Sequence, residues 1–317
     1  MESHASDNTN RGLNSLRQVI YFLRLGRPLF LLGGFLLHGL GVAMALYDGA
    51  VLDWKILVWT QIAITAVQLM THYSNDYFDL AADEANTTPT RWSGGSRVLA
   101  EGLLRPRIAL ITALVMAGVA LFAALWLALG LESGPLTLGL ILLSAVLGWS
   151  YSSPPLRLNV HGLGEITGAL LITGLTPIVG FAAQYGRLAR LPLLAVFPLA
   201  CFQFAMLIVI NVPDAAGDMA SGKHTLIYYL GRRRALRAYL IAVALAYLAL
   251  PLLVWLGLPS LAALAVALIS PLGIWQGWRM WRGAWRLPEK WNSLGFWSIG
   301  LIMASAGMEF LAFLALL

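Results

Sequence analysis

The chain alternates between long apolar runs and short polar intervals. A helix rises about 1.5 Å per residue, so about 20 mostly apolar residues cross a bilayer core. Nine runs meet that length, near 28–47, 56–76, 107–130, 135–152, 163–185, 192–212, 236–256, 259–279 and 294–316. Pro177 and Pro271 fall inside two of them and are expected to kink their helices. The pattern predicts an all-α membrane protein with nine transmembrane helices. Residues 1–15 form a polar tail, and 16–317 a single intramembrane domain.

The polar intervals set the orientation. With the N-terminus cytoplasmic, only Lys55, Arg187 and Arg190 fall on the far side, and the other 18 of the 21 Lys and Arg residues face the cytoplasm. Loops rich in Lys and Arg stay inside, so the expected topology is N-terminus in and C-terminus out. The tail lacks an apolar segment followed by a small-residue cleavage site, and no cleaved signal peptide is expected. The expected location is the inner (plasma) membrane of the cell.

Composition agrees with the pattern. The sequence is 59% hydrophobic and 11% charged, where a soluble domain carries about 25% charged residues. The net charge of +6 follows from cytoplasmic loop bias and implies no nucleic-acid partner. The single Cys201 lies in an apolar run and reads as a packing residue.

Against this background the acidic residues stand out, because only 15 of 317 are Asp or Glu. Asn75-Asp76-Tyr77-Phe78-Asp79-Leu80-Ala81-Ala82-Asp83 closes the second run, and Asn211-Val212-Pro213-Asp214-Ala215-Ala216-Gly217-Asp218 closes the sixth. Asn75, Asp79 and Asp83 are four apart, so on one helix each step turns about 40° past a full circle and all three share a face. Asn211, Asp214 and Asp218 also share one face, and Asp76 stands about 60° from Asp79. The motifs begin 136 residues apart, a weak internal repeat. Carboxylates at membrane depth are costly and mark function. Mg²⁺ takes octahedral oxygen ligands, typically one or two carboxylates plus phosphate oxygens. Two such faces meeting across a cavity suit a metal-held polyanion, with Asp76, Asp79, Asp83, Asp214 and Asp218 as candidate ligands.

Basic and aromatic candidates lie on the same side. Lys223 follows Asp218 closely, and Arg91 and Arg97 lie in Thr-Arg-Trp-Ser-Gly-Gly-Ser-Arg. Such residues bind phosphate, Arg by a bidentate fork and Lys as a point charge. Arg232, Arg233 and Arg234 are accounted for by loop bias. Pro154-Pro155 breaks the chain into a turn that carries Tyr151, Arg157, Asn159, His161 and Glu165 to the aspartate side.

These motifs resemble the UbiA-type superfamily of intramembrane aromatic prenyltransferases. Asn75, Asp79 and Asp83 match its NxxxDxxxD pattern, Asp214 and Asp218 its DxxxD pattern, and Arg27-Pro28 its early Arg-Pro. The stretches 154–165 and 217–226 are most similar to the 1,4-dihydroxy-2-naphthoate polyprenyltransferase (MenA-like) branch. Where that branch often has a polar or basic residue after Arg-Pro, this chain has Leu29-Phe30. The resemblance implies a bundle around a central cavity, Mg²⁺, a polyprenyl diphosphate and an aromatic acceptor acid, with the prenyl tail toward membrane lipid. It implies catalytic roles for Asp79, Asp83, Asp214 and Asp218. Asn75, Arg91, Arg97, Tyr151, Arg157, His161, Asn211 and Lys223 would bind the substrates.

Other acceptors, 4-hydroxybenzoate among them, belong to the same superfamily. A divalent-cation transporter is the alternative of another class, and a non-catalytic lipid-binding scaffold a third. Ionisable residues gathered at one face rather than at the midplane argue against conduction. The topology has a direct test in intact cells. Cysteines placed near Arg97 and Arg234 are expected to react only with cytoplasmic label, and one near Glu132 only with external label; the reverse sidedness overturns the orientation.

Overall fold

The computed structural model describes residues 16–317, so the predicted tail 1–15 lies outside the described residues. The fold is helical. It opens with α1 over 16–25, α2 (Pro28–Tyr47) and α3 (Trp54–Phe78), followed by the short α4 (Leu80–Ala85). Next come α5 (Pro106–Leu125), extended by a π-helical turn Trp126–Gly130, and α6 (Gly134–Ser152). α7 (Gly164–Gly168) and α8 (Thr176–Tyr185) are joined through the π-helical segment Ala169–Leu175 into one span. The 31-residue α9 (Arg190–Ala220) precedes α10 (Leu226–Leu230), α11 (Arg232–Leu248) and α12 (Leu250–Trp255). The chain closes with α13 (Ser260–Leu268), α14 (Ser270–Trp281) and α15 (Pro288–Ala315). Among the described residues the only extended pairing is an isolated bridge between His161 and His224.

Helix starts follow the sequence. Proline occupies the first turn of α2, α5, α6, α8, α12, α14 and α15, where its missing N–H costs nothing. Asp53 caps α3, its carboxylate accepting from the N–H groups of Lys55 (2.7 Å) and Ile56 (3.1 Å). Pro271 produces the expected kink: α13 and α14 meet at 43° around Ile269. Pro177 instead opens α8 where the π-helical segment ends.

Of the nine expected spans, seven are helices long and apolar enough to cross a membrane among the described residues, or eight if α13 and α14 form one broken span. The run predicted at 56–76 is the 25-residue α3, but Gln61, Gln68, His72, Asn75 and Asp76 hold it below that measure. The sixth run extends beyond its predicted end. α9 continues through Pro213 to Ala220, so Asp214 and Asp218 lie within the helix rather than beyond it.

Packing centres on α9, which lies against α11 and α15, while α2 packs on α8 and α3 on α5. Small residues make the α3–α5 seam: Ala63, Ala66, Ala113, Ala120 and Ala124 are all buried. The opposite face of α5 exposes Ile111, Leu114, Val115 and Phe122, as a surface bathed by lipid chains requires. At the α2–α8 crossing a Cβ on Gly41 would lie 2.0 Å from the Pro177 carbonyl oxygen. A Cβ on Gly118 would meet nothing within 4 Å. Gly41→Ala should therefore cost about 1–3 kcal/mol by overpacking, with a lower melting temperature in detergent, whereas Gly118→Ala should leave it unchanged.

Candidate active site

The first motif does not run along one unbroken helix. α3 ends at Phe78, Asp79 is the cap, and Asp83 lies on α4. Two backbone bonds nevertheless carry the helical screw through the break. Asp79 N–H donates to the Asn75 carbonyl at 2.8 Å, and Asp83 N–H to the Asp79 carbonyl at 2.9 Å. α4 then packs on α9, which brings the two motifs together.

Lys223 joins them. Its Nζ lies 2.8 Å from Asp79 Oδ2 and 3.4 Å from Asp218 Oδ1. The turn after α9 places it there: Lys223 N–H donates to the Asp218 carbonyl at 2.8 Å. Burial alone pulls the Lys223 ammonium down, but Asp79 and Asp218 outweigh it and hold the group well above the ordinary lysine value. Asp79 is also held by amides. Asn159 Nδ2 donates to both its oxygens (3.1 and 2.9 Å), and Asn75 Nδ2 donates to Oδ2 at 2.9 Å. Ser152 Oγ accepts from Asn75 (2.6 Å) and from Asn159 (3.1 Å), tying α3 to α6 and the following turn.

The remaining aspartates have different surroundings. Asp76 is buried, paired with Arg27 and accepting from the Ser96 hydroxyl and its N–H. Asp214 accepts from Asn86 Nδ2 at 2.7 Å and from Gly94 N–H at 2.9 Å, so it anchors the loop after α4. Asp83 lies against Gly95, where an added Cβ would come 2.0 Å from its Oδ2. Asp218 Oδ2 is a buried acceptor with no partner among the described residues. Gly217 explains itself in the same way, since its Cβ would sit 2.8 Å from the Asn86 Cα.

The other sequence candidates divide. Tyr151 lies beside Gly164, where an added Cβ would come 3.4 Å from its hydroxyl oxygen. Asn211 is turned to Glu165, donating to its Oε1 at 2.8 Å. Arg97, in a left-handed backbone conformation, reaches the Asp83 carbonyl oxygen and lies 3.9 Å from Glu101. Arg91 is exposed, its guanidinium over the Trp92 ring. Arg157 and His161 are exposed and take no side-chain salt bridge among the described residues. The sequence reading assigned no role to Arg27, Asn86, Ser96 or Ser152. Arg27 had a signal in its place beside Pro28; the other three had none.

The donor set suits a hard cation held jointly with a ligand. Among the described residues no three His, Cys, Asp or Glu side chains converge on one point. Asp79 and Asp218 nonetheless share one ammonium, and Asp83 follows one helical turn after Asp79. That is the arrangement Mg²⁺ uses when phosphate oxygens complete its shell.

Fold and site together are those of a helical intramembrane enzyme. Residues 35–304 match the UbiA prenyltransferase family, and the chain belongs to it as a prenyltransferase. It is 33% identical to a digeranylgeranylglyceryl phosphate synthase of Ignicoccus hospitalis over 67% of this chain and 69% of that one. It is 23% identical to a 1,4-dihydroxy-2-naphthoate octaprenyltransferase of Bacillus subtilis, over 74% and 73% respectively. A solved UbiA homologue from Archaeoglobus fulgidus, bound to GPP and Mg²⁺, shares the fold. The TM-score is 0.60 at 17% identity, covering 91% of this chain and 99% of that one.

The site has a pH signature. Burial, with Asp76 and Asp79 nearby, pushes the Asp83 carboxyl up to about 7. The folded state then holds a proton that the unfolded state releases near pH 4, so the Asp83 contribution to stability falls as pH rises from about 4 to about 7. Asp83→Asn should flatten that part of the profile in thermal melts across this range. An unchanged slope would place Asp83 in water.

Proposed function

We propose that this chain transfers a polyprenyl group from an allylic prenyl diphosphate to 1,4-dihydroxy-2-naphthoate. The observation that carries the reading is Lys223, held between Asp79 and Asp218 beside a buried carboxylate oxygen with no partner. One ammonium against several carboxylates leaves room for further cations, and cations in turn bind a diphosphate. Mg²⁺, where bound, would neutralise charge building on the diphosphate as the allylic C–O bond ionises. Asp79, Asp83 and Asp218 are the residues best placed to hold it, with Asp214 fixing the loop across the motif. Lys223 would neutralise the departing diphosphate from the protein side. Asn75 and Asn159 keep Asp79 oriented. The membrane bundle excludes water that would otherwise quench the allylic cation.

The acceptor reading rests on the segments 154–165 and 217–226 and on the naphthoate-acting relative. Arg157 and His161 stand exposed and would meet the acceptor carboxylate, while Tyr151 would orient the ring. Arg91 and Arg97 would act as outer phosphate-side cations. On this reading the site faces the cytoplasm of a cell whose inner membrane holds the domain 16–317. A second reading is favoured by the 33% identity to a digeranylgeranylglyceryl phosphate synthase, which points to a glyceryl phosphate acceptor.

An acceptor panel with one prenyl diphosphate separates these readings by product mass. Naphthoate prenylation should give a product lighter by carbon dioxide than simple addition. Retained mass on a glyceryl phosphate supports the second reading, and 4-hydroxybenzoate prenylated with its carboxyl intact moves the chain to another branch. Chelation should abolish turnover and Mg²⁺ restore it. Asp79→Ala should lower kcat about a hundredfold, on the order of 3 kcal/mol in the barrier. Arg157→Ala should raise the acceptor KM more than the donor KM.

A further inference from the structure

Loop bias accounts for the number of arginines at 232–234 but not for what the fold does with them. Arg232, Arg233 and Arg234 line a shallow, open pocket of about 520 Å³ with Arg286 and Trp285. None of these four arginines forms a salt bridge among the described residues. Four guanidinium groups around one concavity repel one another unless an anion lies between them.

The helix beneath them sharpens the conflict. α11 has 17 residues and starts after Gly231 without a side-chain cap. Arg234 and Ala235 donate their N–H groups to the Gly231 carbonyl at 3.1 and 3.0 Å. The N–H groups of Arg232 and Arg233 have no acceptor within the helix. Three cations sit at the positive end of the helix dipole, where acidic groups or anions are the stabilising choice.

Trp285 supplies an independent observation. It is only 6% exposed, lines the same pocket, and its Nε1 has no hydrogen-bond partner among the described residues. The residue is fixed from behind, because its carbonyl accepts from Trp291 Nε1 at 2.8 Å. Arg286 lies over its ring at 5.0 Å from the centroid. A buried indole N–H ordinarily finds an acceptor. The side chains that line this pocket present donors, the guanidinium groups of Arg232, Arg233, Arg234 and Arg286 and the Trp285 indole, and the free backbone N–H groups of Arg232 and Arg233 add to them. A group made of acceptor oxygens with negative charge, the chemistry of a phosphate, would satisfy the guanidinium groups and the free N–H groups of the first helical turn.

The position in the bundle selects the source. α9 and α14 end on this side and α11 and α15 begin there, the side that also carries the aspartates. Nearby, Arg279 and Arg282 lie over Trp275 and Trp278 at 4.6 and 5.8 Å, and Trp278 and Trp281 are exposed. Such aromatic residues gather at headgroup depth. We propose that the Arg232–Arg234, Trp285 and Arg286 pocket binds the phosphate headgroup of an anionic phospholipid. It is a lipid site separate from the aspartate site.

Native mass spectrometry of delipidated protein tests this, with phosphatidylglycerol and phosphatidylcholine titrated in parallel. One tightly held phosphatidylglycerol is expected, with phosphatidylcholine binding weaker by about tenfold or more. Arg233→Gln and Arg286→Gln should each weaken phosphatidylglycerol by about fivefold. Trp285→Phe keeps the ring and the charge but removes the N–H, and should weaken it by about threefold or more. Elution profile and melting temperature verify that each variant is folded; Arg233 is exposed, so its variant carries the test even if the Trp285 variant does not fold. Equal binding of the two lipids, or arginine variants that bind like wild type, overturns the proposal. So does a folded Trp285→Phe protein with undiminished binding, which would reduce the site to diffuse surface charge. Displacement of the lipid by millimolar inorganic phosphate would assign the pocket to a soluble anion instead.

Discussion

The contact on which the site depends is the ammonium of the half-buried Lys223 between Asp79 and Asp218. Asp79 closes a helix of the first half of the chain, and Asp218 lies on α9 in the second. Neither carboxylate is tolerable alone in a poorly hydrated bundle, and a lone buried ammonium is no better. Removing one member of such a set costs far more than the set contributes, since an uncompensated charge remains. The pair of motifs is therefore coupled electrostatically before any substrate arrives.

Around that contact the chain uses missing side chains to bring backbone close. Gly217 lets the α9 backbone approach Asn86, and Gly95 lets the Asp83 carboxylate lie against the loop that follows it. Asn86 and Gly94 then donate to Asp214. The loop from Asn86 to Arg97 is thus pinned at both ends by motif residues: to Asp214 near its start, and through Arg97 to the Asp83 carbonyl at its end. A polar segment crossing the mouth of a membrane bundle needs such anchors, because its backbone groups have no helix to satisfy them.

Much of this was legible from residue order. Apolar runs located the helices because a membrane span is a length requirement, and the same runs made Asp79, Asp218 and Lys223 conspicuous. The α3 segment shows where that reasoning thins: its Gln61, Gln68 and His72 lower its hydropathy, while the bundle still buries much of it. The finer partnerships were not legible. Asp76 pairs with Arg27, Asn211 with Glu165, and Asp214 with Asn86, each across 46 or more positions. Side-chain spacing along one helix says which residues share a face, but not which distant helix that face will meet. Spacing also presumed an unbroken helix through Asp83, whereas the chain breaks at Asp79 to let α4 reach α9.

The π-helical segment Ala169–Leu175 has a consequence for how this span is built. Wider winding absorbs additional sequence without lengthening the helix in proportion, and it shifts the angular register of everything beyond it. One α-helical residue corresponds to about 100° of rotation. The two ends of the span are thus set independently: Glu165 is aimed at Asn211 near the site, while Phe181 faces the core beside Tyr185. The segment works as a phase adjuster. It lets one continuous rod present a polar face at one depth and an apolar face at another, without a loop at membrane depth.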